Sequence, residues 1–189
     1  MKLKQLAATL ALAVLPAISL LAQEDFRELT PQERRELRQK EQQQLDSASY
    51  AKAVEALSAQ NWVLEAYTIQ GQRGNLYHVN STLNFVMVED ETATLQLSSP
   101  LRAGYSALNS VTVEGRIRDY QITTDKKGYV NVSFMVIGYA INADIRVSLY
   151  PNTNRAEASI SPNTWGRRIT YRGFIVPLED SSVYKGMPR

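Results

Sequence analysis

The sequence has no cysteine among its 189 residues and a single histidine. The first absence excludes a disulfide framework, a thiolate zinc or iron–sulfur site and a cysteine nucleophile. It also excludes the lipid anchor of a bacterial lipoprotein, which is carried on a cysteine. One histidine leaves no imidazole cluster for a metal and at most one imidazole base. What remains is 44% hydrophobic and 21% charged, a balance that can bury a core and argues against wholesale disorder.

Long apolar runs are equally scarce: there is one, and it lies at the start. Lys2 and Lys4 precede an apolar stretch from Leu6 to Leu21, and Ala22-Gln23 forms a cleavage junction, the pattern of a secretory leader over residues 1–22. Leu20 occupies a position where a small residue is preferred, and Ala17-Ile18-Ser19 is a competing site. Pro16 and the shortness of the run favour removal over retention as an anchor. No later run approaches the roughly 20 residues of a spanning helix. The expectation is Sec-type export to the periplasm or the extracellular space, with no membrane span and no lipid anchor afterwards. Removing Lys2 and Lys4 takes the 21 basic residues to 19, against 19 acidic ones. A neutral exported chain lacks the basic stripe of a nucleic-acid binder.

Glycine is missing from residues 24–60, where proline occurs once and Glu, Gln, Arg and Lys dominate. Thr30-Pro31-Gln32-Glu33 is a capping box with proline at the first helical position. From Pro31 to Leu45 the large apolar residues are only Leu37 and Leu45, too few for a buried stripe. This half reads as a mobile, solvated arm. Tyr50, Val54 and Leu57 then fall at i, i+4 and i+7 and make a face that can cover a core. Asp46-Ser47 is the expected weak point, giving two helical segments or one that frays in its first half. Residues 23–60 are thus a helical lead-in.

From Trp62 the period changes to two. Ile141, Ala143, Ile145, Val147 and Leu149 alternate with polar residues, as do Ala156, Ala158 and Ile160, then Ile169, Tyr171, Gly173 and Ile175. Each is a strand with one buried face. Turn compositions separate them, such as Pro151-Asn152-Thr153-Asn154 and Asp125-Lys126-Lys127-Gly128. Between Val111 and Ile122 the apolar positions switch from odd to even, which predicts a β-bulge near Arg118. About nine strands result, at 62–70, 75–80, 83–88, 92–98, 110–124, 129–138, 141–150, 155–161 and 167–176. Only the connection 99–109 is long and no helix intervenes, so parallel pairing is nearly excluded. Residues 61–189 are therefore a mainly β domain: an antiparallel meander forming a barrel or half-barrel, with a β-sandwich as the alternative.

Trp62-Val63-Leu64-Glu65-Ala66, Asn84-Phe85-Val86, Val111 to Ile117, Lys126 to Val132, Ile169 to Pro177 and the closing Ser181 to Gly186 resemble, in order, a secreted domain family of Bacteroidetes, the domain of unknown function 4251. The resemblance covers about two thirds of the chain. It implies a leader, a helical lead-in and a β-rich body in a Gram-negative envelope. It implies no activity and no catalytic residues.

A search for chemistry finds no enzyme motif. There is no nucleophile elbow, P-loop or dinucleotide fingerprint, so no catalytic residue, metal site or cofactor is assigned. His78 has no second histidine and no carboxylate at ligand spacing, and reads as a packed or surface residue. Glu89-Asp90-Glu91 lacks the alternating ligands and glycine of a calcium loop and reads as a hairpin turn. Gly71-Gln72-Arg73-Gly74 is a turn with no helix after it to cradle phosphate. Arg167, Arg168 and Arg172 form the one local basic cluster. Arg168 and Arg172 share a strand face opposite Ile169 and Tyr171, which makes them the candidate face for an anionic partner, beside the alternative of an ordinary solvent face.

Two non-enzymatic readings survive. In the first, the barrel interior binds an apolar or amphipathic small ligand; the ten tyrosines suit a lined pocket and suit strand propensity equally. In the second, the protein is an envelope interaction module that holds a protein partner with its helical arm or a sheet edge. An enclosed apolar cavity of roughly 300 Å³ or more would favour the ligand. A filled core would favour the partner.

Overall fold

The computed structural model describes residues 30–98, 111–163, 167–183 and 185. The expected leader and its cleavage site, the first residues of the arm and the connection 99–109 lie outside the described residues. The chain divides into two units, residues 1–40 and 41–189.

A single helix, α1 (Pro31–Ala59), precedes nine strands among the described residues. Its start is the capping box: Glu33 N donates to Thr30 Oγ1 at 3.3 Å, and Thr30 N donates to Glu33 Oε2 at 2.8 Å. The Thr30 N–H and hydroxyl both donate to the Glu33 carboxylate and hold it below its usual range. The helix runs through Asp46-Ser47 without a break, in contrast to the weak point expected there. Neither residue breaks helix geometry as Gly or Pro would, and Gln42 Nε2 donates to Asp46 Oδ1 one turn on, at 2.8 Å. Toward its end, Ala53, Ala56 and Leu57 are buried, and Tyr50 and Val54 pack beside them. Gln60 then takes a left-handed backbone (φ +55°), which ends the helix and turns the chain into the first strand.

The strands are β1 (Asn61–Gly71), β2 (Leu76–His78), β3 (Phe85–Glu89), β4 (Thr92–Leu97), β5 (Val111–Thr124), β6 (Val130–Ile137), β7 (Asn142–Leu149), β8 (Arg155–Pro162) and β9 (Ile169–Pro177). All pairings are antiparallel and follow the order 2-1-3-4-5-6-7-8-9. β1 also pairs with β9, from Trp62↔Pro177 to Gly71↔Ile169, so eight strands close into a barrel and β2 is an extra strand. The half-barrel and the sandwich are thereby set aside. β1 is long enough to pair with β3 along residues 61–65 and with β2 along 68–70 on the same edge. At the seam Gly173 faces Ala66, and a Cβ there would run into the Glu65 carbonyl. Only glycine lets the backbones approach this closely.

The bulge expected near Arg118 is present. The β5–β6 register shifts between Arg118 and Gln121, and Asp119 sits at φ +55°. The extra residue rotates Tyr120 toward the core, where its ring stacks on Phe134 at 5.5 Å.

Inside the barrel, Trp62, Leu64, Ile69, Phe134, Ile145 and Tyr171 belong to one contiguous buried cluster, shared with Leu57 of the helix. The helix end therefore closes one end of the barrel. Each such large side chain contributes about 1.5–3 kcal/mol by leaving water. A smaller cluster lies on the outer face: Val63, Phe85 and Met87, with Val176, Leu178 and Val183 packed against them. The segment after β9 is a strap over this face. It opens with a 3-10 turn, Leu178–Asp180, and continues with Ser181 Oγ donating to Glu65 Oε1 at 2.7 Å. Lys185 pairs with Glu114 at 2.7 Å.

Candidate partner-binding site

The barrel end away from the helix is built by strand closure. Pairing of Gly71 with Ile169 sets the β1–β2 turn beside the residues that lead into β9. The turn is tight: Gly74 N donates to Gly71 O at 2.9 Å and Gly71 N to Asn75 O at 3.1 Å. Gly74 has φ +84°, a conformation that costs glycine little. Gln70 Nε2 braces it through Gly74 O at 3.1 Å.

An open cleft of about 430 Å³ lies here, lined by Arg73, Arg167, Arg168, Tyr77, Leu97 and Ile169 among others, with no acidic side chain among the described residues of its wall. Tyr77 stands opposite the buried Ile69 in the register, so both side chains are on the lumen side of the sheet. Arg168 Nε donates to Ser161 Oγ at 3.1 Å. Among the described residues, none of the three arginines is in an ion pair. The site is a cationic rim over an apolar and aromatic floor. It can take up an anionic group and desolvate part of what carries it.

The two arginines assigned to one face have different surroundings. Arg168 belongs to the mouth. Arg172 lies on the outer wall between Glu157 of β8 and Thr68 of β1. Its Nε donates to Glu157 Oε2 at 2.7 Å and its Nη2 to Gln70 Oε1 at 3.3 Å. The Glu157 hydrogen bond pushes the guanidinium pKa further up, and the charge is compensated where it stands. Tyr67 and Phe174 meet beside it at 5.3 Å, and Tyr129 and Tyr150 at 5.6 Å.

His78 is exposed on β2. Glu89-Asp90-Glu91 is the β3–β4 turn, with Asp90 at φ +51° and its N–H donated to Gln60 O at 3.0 Å. A second open cleft, of about 520 Å³, lies between Ala56 and Ala59 of α1 and Pro177 and Leu178. The Lys52–Asp180 ion pair, at 3.1 Å, is beside it. Sequence reasoning misses Arg73 and Tyr77 as companions of Arg168. The turn composition is legible, but only the β1–β9 register brings that turn to the arginines.

No curated protein matches this chain. A crystal structure of a DUF4251 family protein from Bacteroides eggerthii DSM 20697 superposes with a TM-score of 0.66 at 36% identity, covering 78% of this chain and 99% of that one. The family model described as "Domain of unknown function (DUF4251)" matches residues 44–175, which is most of the helix's packed half and nearly the whole barrel. The chain belongs to the DUF4251 family.

Proposed function

We propose that this protein is an exported, non-enzymatic interaction module of a Gram-negative cell envelope, and that it recognises a protein partner at the open end of its barrel. The observation that carries this reading is the contiguous apolar cluster inside the barrel. Side chains from Trp62 near the helix-closed end to Tyr171 near the mouth pack into one cluster, where an internal ligand would need space. Recognition is left to the surface, and the mouth offers a cleft of about 430 Å³ rimmed by three arginines. The exported location rests on the leader pattern of residues 1–22.

The test is site-specific photocrosslinking in the producing cell. One probe replaces Asn75, which lines the cleft; the other replaces Thr123, exposed at the far end of β5. The reading expects a discrete adduct from the Asn75 probe, identified by mass spectrometry and lost when Arg73→Glu and Arg168→Glu are introduced. Adducts from Thr123 alone, or equally from both probes regardless of the arginines, would sink it.

A further inference from the structure

The extra strand β2 gives the mouth a second feature beside its charge. In an antiparallel ladder, alternate residues exchange hydrogen bonds with a given neighbour. Gly71 N donates to Asn75 O, and Val79 N donates to Tyr67 O, so Asn75, Tyr77 and Val79 are the residues whose backbone faces β1. Leu76 and His78 are out of that phase. Their N–H and C=O groups point away from β1, and among the described residues β2 pairs with no other strand. A short sheet edge is thus left with donors and acceptors in the spacing of a strand.

The same strand lines the arginine cleft through Tyr77, with Leu97 and Ile169 as further apolar wall. Guanidinium groups stay charged at any physiological pH and match carboxylates in a two-pronged geometry. Three of them around one cleft repel one another, and an incoming anion relieves that repulsion. A compact anion would use the arginines and leave the carbonyls of Leu76 and His78 without donors. An extended polypeptide satisfies both features: its backbone continues the sheet, and alternate side chains project on the face of Tyr77, toward the cleft that the arginines line.

From this juxtaposition we infer that the mouth accepts an acidic, extended segment of the partner protein. The segment pairs with the free edge of β2 at Leu76 and His78 and sets its carboxylates against Arg73, Arg167 and Arg168. The inference rests on the mouth being the recognition site, and it names what that site recognises.

The experiment is a nitrogen-15 NMR titration of the mature chain with three probes. These are a blocked hexapeptide alternating glutamate and threonine, the same peptide with glutamine for glutamate, and inorganic phosphate. Binding of the acidic peptide is expected to shift the Leu76 and His78 amides. It should weaken about tenfold or more between low and physiological salt, as exposed charge pairs are screened. The glutamine peptide and the Arg73→Ala, Arg168→Ala double variant should each bind about tenfold more weakly, about 1.4 kcal/mol. The variant's melting temperature should be unchanged, since both arginines are exposed. Phosphate binding at the arginines as tightly as the peptide, with the β2 amides still, would overturn the inference in favour of a compact-anion site. Equal binding of the two peptides, or no shift with the acidic one, would also overturn it. In either case an adduct at Asn75 that depends on the arginines would leave the mouth as the recognition site. Its absence would remove both.

Discussion

The hydroxyl of Tyr120 donates a 2.6 Å hydrogen bond to the backbone carbonyl of Leu57, tying the β5 bulge to the last turn of the helix. The same oxygen accepts a 3.2 Å bond from Trp62 Nε1. One side chain thus serves a carbonyl in the helix's last turn, an indole N–H at the barrel's edge, and the stack on Phe134.

Removing that hydroxyl should loosen the helix from the barrel. Tyr120→Phe keeps the ring and leaves the Leu57 carbonyl and the Trp62 N–H without their shared partner, at a cost of about 1–3 kcal/mol. Urea melts monitored by tryptophan fluorescence check this. A midpoint equal to wild type would mean that water replaces the hydroxyl at no cost.

The same tyrosine makes a pH prediction with a definite sign. Burial pushes its pKa up to about 12 from an ordinary 10, and burial raises Tyr171 as well. The unfolded chain therefore loses these protons first as pH rises. Their contribution is fully present below pH 10 and is lost as the pH climbs through the folded values. Urea midpoints should fall between pH 10 and 12, and fall less steeply in Tyr120→Phe. Parallel wild-type and variant curves across that window would count against it.

The alternation through β7 sets two neighbouring residues apart. Ile145 is fully buried, whereas Arg146 is exposed on the outer wall. Ile145→Ala should cost about 2–5 kcal/mol through lost contacts and a residual cavity. Arg146→Ala should cost about 0.5 kcal/mol or less. The two melts side by side decide it, since equal midpoints would contradict the strand's phase.

Ending the chain after Pro177 should uncover the outer cluster. Leu178 and Val183 pack on Val63, Phe85 and Met87, and Glu65 accepts from Ser181 Oγ at 2.7 Å and from Ser182 N at 3.2 Å. Loss of Lys185 also frees Glu114, whose carboxyl is held below its usual range chiefly by that lysine. The truncated protein should keep its β-sheet circular dichroism, bind a hydrophobic dye, and lose about 2–4 kcal/mol. Wild-type stability without dye binding would show that the strap is not part of the cover.

The proposed export makes a prediction at the other end. Native protein recovered from the envelope should begin at Gln23, after Ala22. Edman sequencing that returned Met1 would remove the basis for an exported role.

The local rules are legible in the residues themselves. A capping box at Thr30, period-two runs such as 141–149, the turn at Asp125 to Gly128 and the phase switch near Arg118 each depend on residues close in sequence. Strand positions and the bulge follow from them because side-chain alternation is a property of the strand itself. Even the burial of Leu57 is readable, since Tyr50, Val54 and Leu57 share a helix face. The helix's continuity through Asp46-Ser47 is not, because a side-chain bond such as Gln42 to Asp46 offsets weak propensities there.

Closure was decided only by the tertiary structure. Nothing in a meander says whether its first and last strands meet. Here β1 joins β9, with Gly173 removing the side chain that would keep the backbones apart. That one pairing turns a sheet into a barrel and gathers the inner faces of its strands into one buried cluster. It also brings Arg73 of an early turn to Arg167 and Arg168, which lead into β9. Arg172, held by Glu157 across the β8–β9 pair, gains Gln70 of β1 on its other side, so two arginines that look alike in sequence differ in role. A sequence specifies the faces of its strands through nearest neighbours. Which faces and edges end up sharing a site depends on long-range register, where the free energy comes from packing the whole core at once.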